Sequence, residues 1–348
     1  MTIDCGFLFP FRNPDFGHRP FSQVYREDIE LAVYSEELGL DHIWLTEHHF
    51  VDDGYSPSLM PIASALAAQT KKIRIGTFVV LLPLHATVAF AEDVATADVI
   101  SDGRIDLGVG LGYRIGEFAG MGISIKERGA RFNEQLPILR QLLDGETVSF
   151  DGRFHHIEGA RIMPPPVQES LPIWVGARGD KALDRSARMG CHLAGVSAEH
   201  RLKYRAALAK HGRDPDQYKV SQMVLVYVAE TKDQAWQDSA RPVHHMLSLY
   251  QQWAEEVGDD NNDDQATRGI PTPEELVRDQ ACDFFGETAF IGTPDFVYEG
   301  LCEMLQRSPC THLVLMGVLP GAPTDGTRRS IELFAREVMP RLKQINAV

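Results

Sequence analysis

The chain predicts an α/β fold, a closed (β/α)8 barrel of parallel strands with insertions after strands four and seven. Short apolar or β-branched runs alternate with longer segments of helical spacing from one end to the other. Eight such runs occur, a number that suits closure better than an open sheet. The length of 348 residues also exceeds the roughly 250 that a minimal barrel of this kind uses, so the surplus must be inserted between the repeating units.

The strand runs are 5–9, 42–47, 73–80, 105–110, 172–177, 191–196, 221–228 and 312–318. Between the first two, Tyr25, Ile29, Ala32 and Val33 fall on one helical face at spacings of four and three, Ser22 supplies a start and Gly39 a stop. Similar helical segments cover 58–69, 86–100, 180–189, 200–211, 294–306 and 328–343, with Asp, Ser, Thr or Pro near several starts. After the fourth run come residues 112–122, a helix near 128–143, a hairpin around Asp151-Gly152 and the Pro164-Pro165-Pro166 approach to the fifth. After the seventh comes a polar acidic run, 255–264, of loop-like composition. No linker divides the chain, so residues 1–348 are expected to form one domain.

Composition narrows the partners. A hydrophobic content of 44% with 24% charged residues is that of an ordinary globular protein, which excludes disorder and fibres. Against 34 Lys and Arg stand 49 Asp and Glu, a formal net charge of −15, so nucleic acid is repelled over most of the surface. An anionic ligand must then be neutralised locally, by a few Arg residues or by backbone amides at a helix start. The five cysteines are odd in number and lack Cys-x-x-Cys spacing, which reads as reduced thiols in a cytoplasmic protein. No basic-then-apolar leader opens the chain, and the apolar run 78–82 is far too short to span a bilayer.

Chemistry concentrates where strands end, the place where barrels keep their active sites. The second run closes on Thr46-Glu47-His48-His49, one carboxylate and two imidazoles. Pleat alternation sends Glu47 and His49 to one side and His48 to the other, so one imidazole can face a ligand. On their own these residues could equally bond neighbouring loops and orient the strand end. No His or carboxylate recurs at metal-ligand spacing around them, and no metal is expected. The fourth run and its loop carry Gly108, Gly110 and Gly112, which leaves one face bare for a flat ligand or simply relieves crowding in the barrel. After the fifth run, Gly176-Ala177-Arg178-Gly179-Asp180 turns into a helix, which would set backbone amides and Arg178 around a phosphate, unless Asp180 is only a cap. His155-His156 and His244-His245 receive no role, while Tyr250 and Trp253 could line a pocket or merely pack.

Together these segments resemble the bacterial luciferase-like flavin-dependent monooxygenases. The resemblance runs from Cys5 to about Leu342 and is carried by Leu38 through Phe50, by Leu82-Pro83-Leu84-His85, by Ala91-Glu92-Asp93, by Ser101-Asp102-Gly103-Arg104 with Gly108 and Gly110, by Arg128 with Arg131-Phe132, and by Pro172 through Gly176. It implies a TIM barrel with insertions, commonly a homodimer, that binds FMN at the carboxyl ends of the strands. His48 matches the family histidine that lies against the flavin and handles protons, with Glu47 beside it and His49 at a second sensitive position. Gly110 matches the place where the barrel wall meets the isoalloxazine. The family often has a non-proline cis peptide after the third strand, here at Phe78–Val79.

The implied reaction uses reduced FMN, supplied by a separate flavin reductase, and dioxygen. A C4a-peroxyflavin then oxygenates a small hydrophobic substrate in a dry pocket. Close relatives often carry Arg after the glycine of the fourth strand to meet the flavin phosphate, where this chain has Leu111. Arg114 or Arg178 could take that part. The same departure keeps an F420-dependent hydride-transfer enzyme in view as an alternative, and a non-catalytic flavin-binding subunit is a third reading. The substrate is not legible in the sequence.

Overall fold

A computed structural model describes residues 3–195, 197–257 and 269–345. In chain order the first half contains β1 (Asp4–Phe9), α1 (Phe21–Glu37), β2 (His42–Leu45), α2 (Leu59–Gln69), β3 (Arg74–Thr77), β4 (Val80–Leu81), α3 (Thr87–Ser101), β5 (Ile105–Gly110), α4 (Ile115–Gly120), α5 (Arg128–Leu143), β6 (Val148–Asp151) and β7 (His156–Ala160). There follow β8 (Ile173–Gly176), α6 (Asp180–Arg188), β9 (His192–Ala194), α7 (Ala198–Lys210), β10 (Ser221–Val228), α8 (Lys232–Val257), α9 (Pro273–Asp279), β11 (Asp283–Phe284), β12 (Glu287–Thr288), β13 (Phe290–Gly292), α10 (Pro294–Arg307), β14 (His312–Met316), α11 (Thr324–Leu333) and α12 (Met339–Leu342).

The main sheet is parallel, with strands in the order β13-β10-β14-β1-β2-β3-β5-β8-β9 and β4 paired to β5. It curls back on itself. The Leu193 N–H donates to the Lys219 carbonyl at 3.1 Å and the Met223 N–H to the Gly195 carbonyl at 3.3 Å, which ties the end at β9 to β10.

Pleat alternation explains why the strand runs are apolar throughout: both faces are covered. Phe7, Phe9, Ile43, Leu45, Ile173, Val175, Leu313 and Leu315 belong to one cluster, shared with helix residues such as Leu31, Leu66, Val94, Leu139, Leu208 and Leu301. Their alternates Leu8, Trp44, Trp174, Val314 and Met316 form a second cluster inside the curl. Space there is tight: a Cβ on Gly76 would lie 2.2 Å from the Trp44 ring, so the absence of a side chain at 76 is what admits the indole. Outside, Phe132, Leu136, Leu139 and Leu143 recur along α5 at spacings of four, three and four, and all are buried. Each such side chain contributes about 1.5–3 kcal/mol of burial, which holds the helix on the sheet although its interior contains Pro137.

Three local departures from the sequence expectation have physical causes. The run 73–80 is two strands, β3 and β4, separated by a cis peptide between Phe78 and Val79. The second strand ends at Leu45 rather than at residue 47, because Thr46 to His49 turn their bonds to loop and side-chain partners instead of a neighbouring strand. The helix expected over 328–343 is α11, a wider π turn at Phe334–Val338, and α12. Three strands were not anticipated: β11 and β12, two residues each, which pair antiparallel with each other, and β13, only three residues long, which pairs with the end of β10 at Val226 to Val228. Helix α5 and the antiparallel hairpin β6–β7 lie between β5 and β8. Most of the acidic run 255–264 lies outside the described residues. Among the described residues, no helix is long and apolar enough to cross a membrane.

Candidate active site

Because all strands of the sheet run in parallel, the loops after β2, β3, β5 and β8 gather at one end. There they enclose a cavity of about 350 Å³, within the range of small-molecule sites. Its lining is mostly apolar, with Leu8, Leu81, Leu111, Ala194 and Met223 among the walls and a small number of polar groups converging on it.

After Leu45 the chain leaves the strand and three consecutive side chains take separate partners. Glu47 and His49 bond each other, His49 Nε2 lying 2.7 Å from Glu47 Oε1. The same oxygen is 2.9 Å from His85 Nε2, while Oε2 accepts the Leu81 N–H at 3.3 Å. Burial pushes the Glu47 carboxyl up, but the bonds and charges of His49 and His85 outweigh it and hold the group below the ordinary carboxylate range. A carboxylate so fully used ties β2 to β4 and to the loop after it.

His48 turns elsewhere. Its Nδ1 is 2.8 Å from Glu117 Oε1, and that oxygen also accepts the His49 N–H at 3.0 Å. A carboxylate oxygen has no hydrogen to give, so with Glu117 as a carboxylate Nδ1 donates and Nε2 is left with a free lone pair. Nε2 has no hydrogen-bond partner among the described residues, and His48 lines the cavity. The ring is packed between Tyr55 and Trp253, with centroids 4.7 and 4.5 Å away. Burial pushes the imidazole below its ordinary value; the bond and charge of Glu117 oppose this and Arg114 reinforces it, so the ring is neutral at physiological pH.

The cavity brings together Glu47, His48, Phe78, Val79, Gly110, Gly176, Ala177, Arg178 and Gly179. It does not bring in His49 or Arg114. The Arg114 guanidinium donates to the His49 carbonyl at 2.8 Å, lies 3.5 Å from Glu117 and sits 4.3 Å above the Trp253 ring, so its donors are directed into the protein. The glycine wall is also partly filled by protein. A Cβ on Gly108 would lie 1.9 Å from the Thr77 carbonyl oxygen, and one on Gly110 2.6 Å from a Val79 methyl. Gly108 therefore makes room for the β3–β4 turn, while Gly110 and Gly112 border the cavity. At the opposite rim, Arg178 is exposed with its guanidinium 5.0 Å from the Phe285 ring, next to Gly179, which precedes α6. The first turn of that helix leaves backbone N–H groups without intrahelical acceptors.

Sequence reading missed Glu117, Tyr55, Tyr113 and the lining residue Arg128 as contributors. Glu117 follows the glycine-rich loop at the start of a six-residue helix, and no local pattern marks it. Tyr250 and Trp253, three apart on α8, reach the site as one face of that long helix.

Comparisons with known proteins give the family and the fold. The family model for luciferase-like monooxygenases matches residues 3–312. The F420-dependent glucose-6-phosphate dehydrogenase of Mycolicibacterium smegmatis is 27% identical over 334 residues, 92% of this chain and 95% of that protein. Monooxygenase RslO1 from Streptomyces bottropensis superposes with a TM-score of 0.82 at 26% identity, over 97% of this chain and 99% of its own. The oxygenating constituent of 3,6-diketocamphane monooxygenase from Pseudomonas putida, a Baeyer-Villiger enzyme in complex with FMN, superposes with a TM-score of 0.80 at 19% identity, over 98% and 99% of the two chains, and attests the shared fold.

Proposed function

Because the chain belongs to the luciferase-like monooxygenase family, we propose that it is a flavin-dependent monooxygenase that uses reduced FMN and dioxygen to oxygenate a small hydrophobic substrate. The observation that carries this reading is His48, held by Glu117 at Nδ1 and offering an unpartnered Nε2 to a mostly apolar cavity. The residues present fit a flat heteroaromatic group with an anionic tail. Phe78, Val79, Gly110 and Gly176 would border the ring system, while Arg178, Arg128 and the amides after Gly179 would meet the phosphate. When bound, reduced FMN supplies the two electrons with which dioxygen gives one oxygen atom to substrate and the other to water.

The chain's own part is positional and protic. Neutral His48 accepts a proton at Nε2, and Glu117 at 2.8 Å stabilises the charge that results. Tyr55, Tyr113, Tyr250 and Phe285 close the cavity with aromatic surface and exclude water. Glu47 and His49 act on the site through the β2 and β4 ends that they join. The fold is read further as a closed (β/α)8 barrel forming one domain, with the elements after β5 and β10 as insertions. The bonds from Leu193 and Met223 across the sheet ends support closure. A homodimer in the cytoplasm, fed by a separate flavin reductase, completes the proposal.

One observation favours a second reading. Leu111 lines the cavity where a phosphate-binding Arg would stand, and the F420-dependent relative is similar over most of both chains. The test mixes the protein with reduced FMN, ¹⁸O₂ and panels of aldehydes, ketones and terpenes, and in parallel with F420 and alcohol or sugar-phosphate substrates. One ¹⁸O atom in the product supports the proposal. F420 reduction without oxygen incorporation overturns it in favour of hydride transfer.

A further inference from the structure

At the other end of the strands, opposite the cavity, three residues that open strands β1, β2 and β14 come together. Asp4 and His312 are register partners, and Gly6, two residues beyond Asp4, is paired with His42. One ligand atom from each of Asp4, His42 and His312 lies within 4.8 Å of the others. A Cβ on Gly6 would lie 2.6 Å from the His42 Cβ, so the bare glycine is what lets His42 approach.

The hydrogen-bond directions around His312 are informative. The Thr311 hydroxyl donates its single hydrogen to the Val220 carbonyl at 2.8 Å, so its oxygen can only accept from His312 Nδ1, 2.7 Å away. That fixes the proton on Nδ1 and leaves Nε2 with its lone pair exposed. Nε2 is buried without a hydrogen-bond partner among the described residues, yet it lies 3.3 Å from Asp4 Oδ2, itself an acceptor. Both nitrogens of His42, which is also buried, lack a hydrogen-bond partner among the described residues, and the two imidazole centroids are 4.9 Å apart. A lone pair facing a carboxylate with nothing donated between them costs free energy that a cation between them would remove.

We infer that Asp4, His42 and His312 form a second site, at the amino-terminal end of the strands, for a divalent transition-metal ion. Two imidazoles and a carboxylate are a donor set for zinc, cobalt or nickel, with water completing the coordination. The Thr311 bond to Nδ1 is the outer support that such a ligand histidine needs. Asp106, whose Oδ2 lies 3.4 Å from His42 Nε2, adds negative charge behind the site. Asp4 retains 36% side-chain exposure, which gives the ion a route from solvent.

The test uses the full chain after chelator treatment, titrated with Co²⁺ and Zn²⁺ and followed by visible absorption, calorimetry and thermal melting. Binding of one equivalent, with a cobalt ligand-field spectrum and a raised Tm, is expected. Asp4→Asn and His312→Gln should each weaken binding at least tenfold, whereas His48→Ala, at the other end of the strands, should leave it unchanged. Should His312→Gln not fold, Asp4→Asn at a partly exposed position decides between the outcomes alone. Absence of binding at millimolar metal, or binding that survives both substitutions or is lost in His48→Ala, overturns the inference.

Discussion

Glu117→Gln isolates the charge that supports His48 while keeping the shape of the side chain. In the native protein Glu117 Oε1 lies 2.8 Å from His48 Nδ1 and 3.0 Å from the His49 N–H, and Oε2 is buried without a hydrogen-bond partner among the described residues. An amide oxygen in the Oε1 position can still accept both bonds, but as a neutral acceptor. A hydrogen bond to a charged group is worth about 1.5–3 kcal/mol and a neutral one about 0.5–1.5. The bond that stabilises protonated His48 therefore loses about 1–1.5 kcal/mol, which corresponds to roughly a tenfold slower proton-accepting step. The direction with pH follows from the opposing influences on the ring: burial lowers the imidazole and Glu117 is what raises it. Its removal must lower the imidazole further, so the acid limb of the activity profile moves to lower pH. The same depression means that the unfolded chain takes up the proton first. The stability associated with neutral His48 is present above the ordinary value of 6.5 and is lost as pH falls below it, over a longer span in the variant. Nitrogen NMR of ¹⁵N-histidine protein, with His48→Ala to assign the resonance among the 13 histidines, reads both the tautomer and the protonation midpoint without a substrate. A variant whose His48 keeps the same midpoint, or a native protein with the proton on Nε2, would refute the reasoning.

Gly108→Ala and Gly110→Ala should separate packing from binding. The first places a methyl 1.9 Å from a backbone oxygen and is expected to abolish folding, while the second meets only a Val79 methyl at 2.6 Å. For Gly110→Ala, overpacking of about 1–3 kcal/mol pushes Val79 into the cavity and weakens FMN by about 5- to 150-fold in a fluorescence titration; unchanged affinity in a folded protein would show that Gly110 does not border the flavin. Arg178→Ala and Arg128→Ala should each weaken FMN roughly tenfold or more through a lost charged contact, whereas Arg114→Ala should leave affinity nearly intact and lower Tm, since its guanidinium serves His49, Glu117 and Trp253. Glu47→Gln leaves His49 and His85 without their shared carboxylate and should cost about 3–5 kcal/mol in denaturant melts. Because the Glu47 carboxyl is held below its ordinary 4.5, that difference is full above this pH and narrows as pH falls through the lowered value; a gap that does not change with pH contradicts the assignment.

Local periodicity carries the burial pattern, and this is why the strand positions and most helices were legible in the sequence, with the candidate-site stretch 46–49 read from its place at a strand end. A strand covered on both faces must be apolar throughout, and a helix on its surface must repeat its apolar residues every three or four positions. The glycine loop at 176–179 was legible for a similar reason, since a turn into a helix start has its own composition. Short elements carried too few residues to show a period, and β13 with three was invisible.

The partners of the site belong to the tertiary structure. Glu117 stands 69 positions from His48 and becomes its support only when α4 docks over the end of β2. Arg114, three residues from Glu117, was as plausible a phosphate ligand as Arg178 until folding laid it on Trp253. The space above Gly110 was open on paper and holds Val79 in the molecule. In each case the deciding quantity is which surfaces meet once the sheet has curled, and residues distant in the chain contribute to that equally, so no local pattern records it.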